Sequence, residues 1–321
     1  MGLEIKKYSS ILLGIGIGVL YGIVSQFMIR QESLKGLLGI MSVGFIFILP
    51  LALGAITIYF SPSNVQNSWL MRIFMPWVTS ILCLFFAIVV GWEGTICLII
   101  LSPIYLFMSS VGGVIAGLLL NTIKQTKPAF FSLGFLLLLP FGVSSIESRF
   151  PPNGERRTVL TEILVYSQPS VVWKNIIRVP KITENQDGFF YKMGFPKPVE
   201  ANLSSEGIGG IRDARFERGL YFTETVTVWE NEKKIGFIIQ SHPESTPIKT
   251  LDTHVVPGGE YFDALYGEYE IVPVNENQIK LKLLSQYRLS TKFNFYAAIW
   301  SDFLMRDIQS NILRVIKSRC E

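Results

Sequence analysis

Groups that titrate, coordinate metals or attack carbonyl centres are sparse in this 321-residue sequence. There are two histidines, His242 and His254, and three cysteines, Cys83, Cys97 and Cys320, with no C-x-x-C pair. A dedicated zinc site draws on clustered Cys, His or carboxylate ligands, so neither a metal nor another cofactor is expected. Cys83 and Cys97 lie in apolar stretches and Cys320 is next to last, which gives no disulfide framework. His254 has the chemistry of a general base. Its neighbours Asp252 and Pro257-Gly258-Gly259 describe a loop, where an exposed histidine is the simpler reading. No Ser/His/Asp or Cys/His set can be assembled, so no catalytic residue is assigned. Enzymatic activity is left open, with the balance against it.

Two features remain. Gly207-Ile208-Gly209-Gly210 imitates a phosphate cradle. The dinucleotide fingerprint, however, lies between a parallel strand and a helix. This loop leads into an antiparallel hairpin and no phosphate-binding lysine follows, so a tight turn or a lid fits better. In that hairpin, Arg212 carries a guanidinium, and Glu224 interrupts the apolar residues Phe222, Val226 and Val228 on one strand face. A buried carboxylate there needs a partner. A simple hairpin through Arg218-Gly219 pairs position 212 with 225. It sets Arg212 and Glu224 on opposite faces unless a bulge intervenes. A solvated strand arginine with a surface glutamate is the alternative.

The elements that must position these residues fall into two materials divided at residue 147. Residues 1–147 hold 7 Lys/Arg and 4 Asp/Glu, and residues 148–321 hold 22 and 21. Neither half is strongly basic, which argues against nucleic-acid binding. Five apolar runs, 10–29, 37–60, 70–90, 95–120 and 129–146, each approach the length that crosses a bilayer. Lys6 and Lys7 ahead of the first run imitate a signal peptide, but the run is too long and lacks a small-residue cleavage site. Lys6, Lys7, Arg72, Lys124 and Lys127 against Arg30 and Lys35 favour a cytoplasmic N-terminus. Five spans then send the C-terminal half outside, although Arg149, Arg156 and Arg157 argue the other way. No ionisable residue lies deep in a span, which disfavours a pump or coupled carrier. Gly14, Gly18 and Gly22 make two G-x-x-x-G spacings, read as packing within the bundle rather than a dimer face.

After the turn-rich exit Phe150-Pro151-Pro152-Asn153-Gly154, a strand is predicted over 158–167. Pro169 opens a short helix through Ile177. Strands follow near 198–204, 209–218, 220–231, 234–242, 260–273 and 277–291. A helix from Asn294 to Lys317 closes the chain, with Tyr296, Ile299, Trp300, Phe303, Leu304, Ile308, Ile312, Val315 and Ile316 forming one apolar stripe. Asp302 and Asp307 favour its N-terminal half electrostatically. The expected fold is a membrane α-helical bundle of five spans (1–147), a linker (148–157), and an α+β domain (158–321). In that domain a curved antiparallel sheet wraps around the long terminal helix.

The second half resembles the SRPBCC superfamily, which includes START and polyketide cyclase/dehydrase-like domains. The resemblance rests on Pro169-Ser170-Val171-Val172-Trp173, on Glu206 through Gly219 as a G-x-G-x-x-R-x-x-x-F-x-x-G hairpin, on Thr223-Glu224 with Val228-Trp229-Glu230, and on the ending from Tyr287 through Phe295-Tyr296 and Trp300-Ser301-Asp302 to Ile312–Ile316. It covers most of 158–321 and none of the membrane half. It implies a helix-grip fold with a cavity for an apolar or amphipathic ligand, and no particular chemistry. By the resemblance, Arg212, Ala214 and Phe216 face the cavity, and Arg212 would meet a ligand carboxylate or phosphate. Phe216, Glu224, Trp229, Tyr266, Tyr287, Trp300 and Phe303 are the further candidates for the lining, with plain core packing the alternative for Trp229, Tyr266, Tyr287, Trp300 and Phe303.

The leading expectation is an integral membrane protein of a bacterial inner or plasma membrane, with its pocket domain outside the cytoplasm. Its partners would be membrane lipids or another hydrophobic small molecule, exchanged with the adjacent bilayer. A cyclase or dehydrase using the same cavity, and a structural or sensory protein with a protein-binding domain, are the alternatives.

Overall fold

The apolar runs of the first half become helices. In the computed structural model these are α1 (Gly2–Ile29), a π-helical turn (Gly44–Ile48) running into α2 (Leu49–Tyr59), the short α3 (Ser63–Gln66), α4 (Trp69–Val89), α5 (Thr95–Thr122) and α6 (Ala129–Glu147). The structure describes residues 2–34, 41–122, 129–150, 152–247 and 256–321, with the backbone alone for 2–8, 32 and 129–133. Lys35, Lys124, Lys127, Asp252 and His254 therefore lie outside the described residues, as do the side chains of Lys6 and Lys7. The chain divides into two compact units, Met1–Glu93 with Cys97–Pro152, and Gly94–Ile96 with Asn153–Glu321.

In the first unit, Ser9–Ile29, Trp69–Val89 and Thr95–Thr122 are long and apolar enough to cross a membrane. The other two expected spans are shorter among the described residues, at Gly44–Tyr59 and Gly134–Glu147. Gly14, Gly18 and Gly22 of α1 face neighbouring helices of the same bundle. A Cβ at Gly18 would stand 2.7 Å from Thr79 Cγ2, and one at Gly22 2.6 Å from Cys83 Sγ. Thr57 and Thr79 share a buried hydrogen bond of 2.8 Å across α2 and α4, and Thr57 also donates to the Leu53 carbonyl. Small residues thus let these helices approach closely, and the two threonine hydroxyls satisfy each other between them.

The second unit is one seven-stranded antiparallel sheet in the order β1-β7-β6-β5-β4-β3-β2. Its strands are β1 (Glu155–Val165), β2 (Pro198–Leu203), β3 (Ile211–Phe216), β4 (Tyr221–Glu230), β5 (Lys234–Ser241), β6 (Phe262–Asn275) and β7 (Gln278–Leu289). Helices α7 (Pro169–Ile177) and α8 (Phe189–Lys192) lie in the chain between β1 and β2, and α9 (Asn294–Cys320) follows β7. Burial alternates strictly along β7, from Ile279 to Leu289, because one face meets the core. Bulges between Val226 and Val228 and between Ala264 and Tyr266 interrupt the ladders, a device that bends strands and sharpens twist. Trp173, Ile176, Phe237, Tyr269, Leu281, Leu283, Leu313 and Ile316 belong to the core that joins sheet, α7 and α9. A curled antiparallel sheet holding one long C-terminal helix is a helix-grip arrangement.

The expected single apolar stripe of α9 does not meet the sheet as one face. Ala298, Gln309, Asn311, Leu313, Val315 and Ile316 are buried, whereas Ile299 is 65% exposed and Phe303 43% exposed. Gln309 and Asn311 lie on opposite sides of α9 and both find hydrogen-bond partners, so the helix can be enclosed on two sides there.

Candidate ligand-binding site

The centre of the site is set by a turn. β3 and β4 are joined through three residues, Glu217–Gly219, rather than two. Arg218 (φ 60°) and Gly219 (φ 84°) both take the left-handed conformation, and the Phe216 N–H donates to the Leu220 carbonyl at 2.7 Å. The additional turn residue shifts the pairing by one, so Arg212 stands directly opposite Glu224. This corrects the simple-hairpin register, which put them on opposite faces. No bulge is needed, and neither residue is solvated.

Arg212 and Glu224 are 4% and 7% exposed and form an ion pair, Nη1 to Oε2. The guanidinium lies 5.3 Å from the centre of the Phe237 ring, a cation–π contact in a desolvated setting. Arg212 Nε is buried without a hydrogen-bond partner. Burial raises the Glu224 pKa above the ordinary carboxylate value against the pull of Arg212. Burial works to lower that of Arg212, but the charge of Glu224 and the neighbouring Tyr269 raise it, so the guanidinium stays charged. Tyr269, also buried, is pushed up to about 12, chiefly by desolvation.

Val226, Phe237, Gly267, Ser285 and Val159 form one row across five strands. A Cβ at Gly267 would stand 2.5 Å from the Phe237 ring, so glycine is what admits that ring beneath Arg212. From α9, the Gln309 side chain reaches the same part of the sheet. It accepts from Thr161 Oγ1 at 2.7 Å and donates to Ser285 Oγ at 2.9 Å and the Val159 carbonyl at 3.1 Å. Tyr287 donates its hydroxyl to Asp302 at 2.6 Å, and Arg157 grips both oxygens of that carboxylate at 2.7 and 3.2 Å. Arg157 therefore holds Asp302 below the usual carboxylate range. Asp307 accepts the Phe190 N–H at 2.9 Å. These two aspartates thus make specific bonds, where the sequence suggested only helix-end electrostatics.

Phe216 lies at the end of β3 with its ring edge-on to Phe222 at 5.4 Å. Trp229, partly buried, packs edge-on against Trp173 at 5.1 Å at the border of the core. Tyr287 is fully buried. Tyr266 is on the other face: it pairs with the exposed Ile238, while its neighbour Gly267 pairs with the buried Phe237. Its hydroxyl binds Glu268 there, at 2.7 Å. Trp300 is partly exposed, and Phe303 packs its ring on Phe189 and Phe190 beside solvent. The residues brought together are thus Arg212 and Glu224, and the sequence reading missed their neighbours Phe237 and Tyr269. Strict alternation from Ile235 through Phe237 and from Gly267 through Tyr269 to Ile271 was the available signal.

In the first unit, an apolar groove of about 590 Å³ is lined by residues that include Ile73, Trp77, Leu106, Phe107 and Val111. Trp77 donates to Ser110 Oγ at 2.7 Å beside it.

No family model matches the sequence, and no curated protein matches it. Solved structures resemble about half of the chain at low identity. Norcoclaurine synthase from Thalictrum flavum, in complex with dopamine and hydroxybenzaldehyde, is 12% identical over 51% of this chain and 86% of its own, with a TM-score of 0.32. A truncated form of that enzyme is 14% identical over 51% and 93%, with a TM-score of 0.33. A conserved protein from Geobacillus kaustophilus is 12% identical over 51% and 95%, with a TM-score of 0.32.

Proposed function

We propose that the C-terminal unit is a binding domain for an apolar or amphipathic molecule, lipids included, held against the concave side of the sheet. The observation that carries this reading is the buried Arg212 Nε, a donor without a protein acceptor. Buried polar atoms are nearly always satisfied, and an exception calls for a partner. The chemistry of that partner follows from the pair. Glu224 already neutralises Arg212 and occupies Nη1, so bidentate capture of a carboxylate or phosphate is disfavoured. A neutral acceptor such as a carbonyl or hydroxyl, at one end of an apolar body, suits the Nε–H.

The N-terminal unit supplies the membrane in this reading. Five spans with a cytoplasmic N-terminus put the binding domain outside, near a bilayer with which it exchanges ligand. The exposed Leu12, Leu20, Phe85, Phe107 and Leu138 suit a lipid-facing surface. Protease treatment of sealed vesicles should then degrade the C-terminal unit only from the non-cytoplasmic side. The ligand reading is tested by native mass spectrometry of the full chain released from nanodiscs, followed by lipid extraction. It predicts a stoichiometric apolar adduct. A bare mass under conditions that keep lipid on other membrane proteins would sink it.

One observation favours a second reading, acid–base catalysis in the same place. A carboxyl lifted by burial and set beside Tyr269 has the properties of a proton-transfer group. Recovery of a chemically altered ligand from wild type, and of the unaltered one from Glu224→Gln, would select it over binding alone.

A further inference from the structure

α9 carries two different faces along its length. Its second half is buried through Leu313, Val315 and Ile316, whereas Phe295, Ile299 and Phe303, spaced four residues apart, are exposed in its first half. Phe295 is 70% exposed, and the exposed Phe189 extends the patch, its ring 5.5 Å from that of Phe303. Arg306, three residues beyond Phe303 and so on the same side of the helix, is also exposed. An apolar stripe that ends in a cation is the pattern of a helix lying at a lipid–water interface.

The covalent chain says which surface is within reach. Asn294, the first residue of α9, donates its side-chain amide to the Asn153 carbonyl at 3.2 Å. Five residues separate Asn153 from Glu147, the end of α6, and six extended Cα-to-Cα steps span at most about 22 Å. The chain length therefore limits how far the start of the stripe can lie from the end of an apolar helix. The joining segment exposes Phe150 and Arg149, an aromatic ring and a cation that suit the headgroup zone.

We propose that the first half of α9, through Phe295, Ile299 and Phe303 with Phe189, docks on the surface of the bilayer that the N-terminal helices cross, with Arg306 toward anionic headgroups. This rests on the spanning reading of those helices and is independent of whether the concave face holds a ligand.

The test uses the full chain with Cys83, Cys97 and Cys320 replaced by alanine, in nanodiscs of phosphatidylcholine and phosphatidylglycerol. Single spin labels are placed at Ile299→Cys, at Leu82→Cys on the exposed side of α4, and at Ile238→Cys on the outer face of β5. Accessibility to oxygen is compared with accessibility to a water-soluble nickel complex. The expected result is preference for oxygen at positions 82 and 299 and for nickel at 238. Preference for nickel at 299 with oxygen at 82 overturns the docking while leaving the spans intact. Preference for nickel at 82 overturns the spanning reading and the docking together. Protection of 299 from both reagents, or dipolar broadening between two labelled chains in one disc, shows a protein partner instead and also overturns it.

Discussion

Arg72 in the first unit and Arg212 in the second are both buried, at 2% and 4% exposure, and their charges are met by different means. Arg72 Nε donates to the Gln66 carbonyl at 2.6 Å, and the guanidinium sits 5.3 Å from the Trp69 ring. Gln66 is the last residue of α3, and carbonyls at a helix end have no intrahelical partner. Gly117 makes room, since a Cβ there would collide with the Arg72 side chain. Arg212 stands on a strand paired on both sides, where the ladders consume the backbone carbonyls. Only a side chain can answer it, and Glu224 does. A helix bundle can absorb a cation with loose backbone ends, whereas a sheet interior requires an acid. That is why the second unit contains a coupled charged pair and the first does not need one at Arg72.

Replacing one partner should break this comparison most sharply. Arg212→Met leaves Glu224 buried and unpaired, a loss of about 3–5 kcal/mol, while the double replacement Arg212→Met with Glu224→Leu should recover most of it. Hydrogen exchange of the β3 and β4 amides measures both; equal losses in the single and double variants would show that the pair is not coupled. In the first unit, Gly117→Leu should force Arg72 from its niche at a cost of about 1–3 kcal/mol. Leucine at the exposed Gly16, where a Cβ meets nothing within 4 Å, serves as the control. Thermal aggregation in detergent reads the difference, and equal behaviour would mean the glycine notch is irrelevant.

Gln309→Leu sharpens the contrast within the second unit. It strands Thr161, Ser285 and the Val159 carbonyl, so a loss of about 1–3 kcal/mol is expected in urea unfolding. No measurable change would mean that water satisfies those groups equally well. The smallest effect belongs to the surface pair of Glu184 and Arg319. Arg319 holds Glu184 down to about 2, from an ordinary value of 4.5. A carboxylate with a depressed folded-state pKa stabilises above its unfolded value and loses that contribution as pH falls. Acid unfolding curves of wild type and Glu184→Gln should therefore differ above about pH 4.5 and converge toward pH 2. Parallel curves would remove this pair from the account.

Much of the second unit was legible because strand alternation and turn residues are local. The seven strands, the helix opening at Pro169 and the long terminal helix lie where the pattern predicts, within a few residues. What was not legible depends on events the pattern does not encode. Arg218, a non-glycine residue, takes a left-handed conformation, and that lengthens the turn and brings Arg212 opposite Glu224. The bulge before Tyr266 shifts its pairing with β7, and its partner Ile238 marks the outer face. Periodicity showed that Ile299 and Phe303 share a side of α9, but not that Gln309 and Asn311, on two different sides of the helix, would both be buried. In the first unit, composition marked the apolar runs. Arg72 read as a span-end charge because its acceptor, Gln66, is a backbone group that sequence does not distinguish.

The binding claim is tested most directly by a photoreactive residue on each face of the sheet. p-Benzoylphenylalanine replaces Phe222, part-buried on the side of Glu224, or Ile238, exposed on the outer side, in the full chain within native membranes. Illumination should attach an apolar small molecule at position 222 and not at 238, and the Arg212→Met, Glu224→Leu background should reduce the yield at 222 at least about tenfold, the change that roughly 1.4 kcal/mol of lost affinity produces. Equal labelling at both positions, or none at 222, would contradict a ligand site on the concave face.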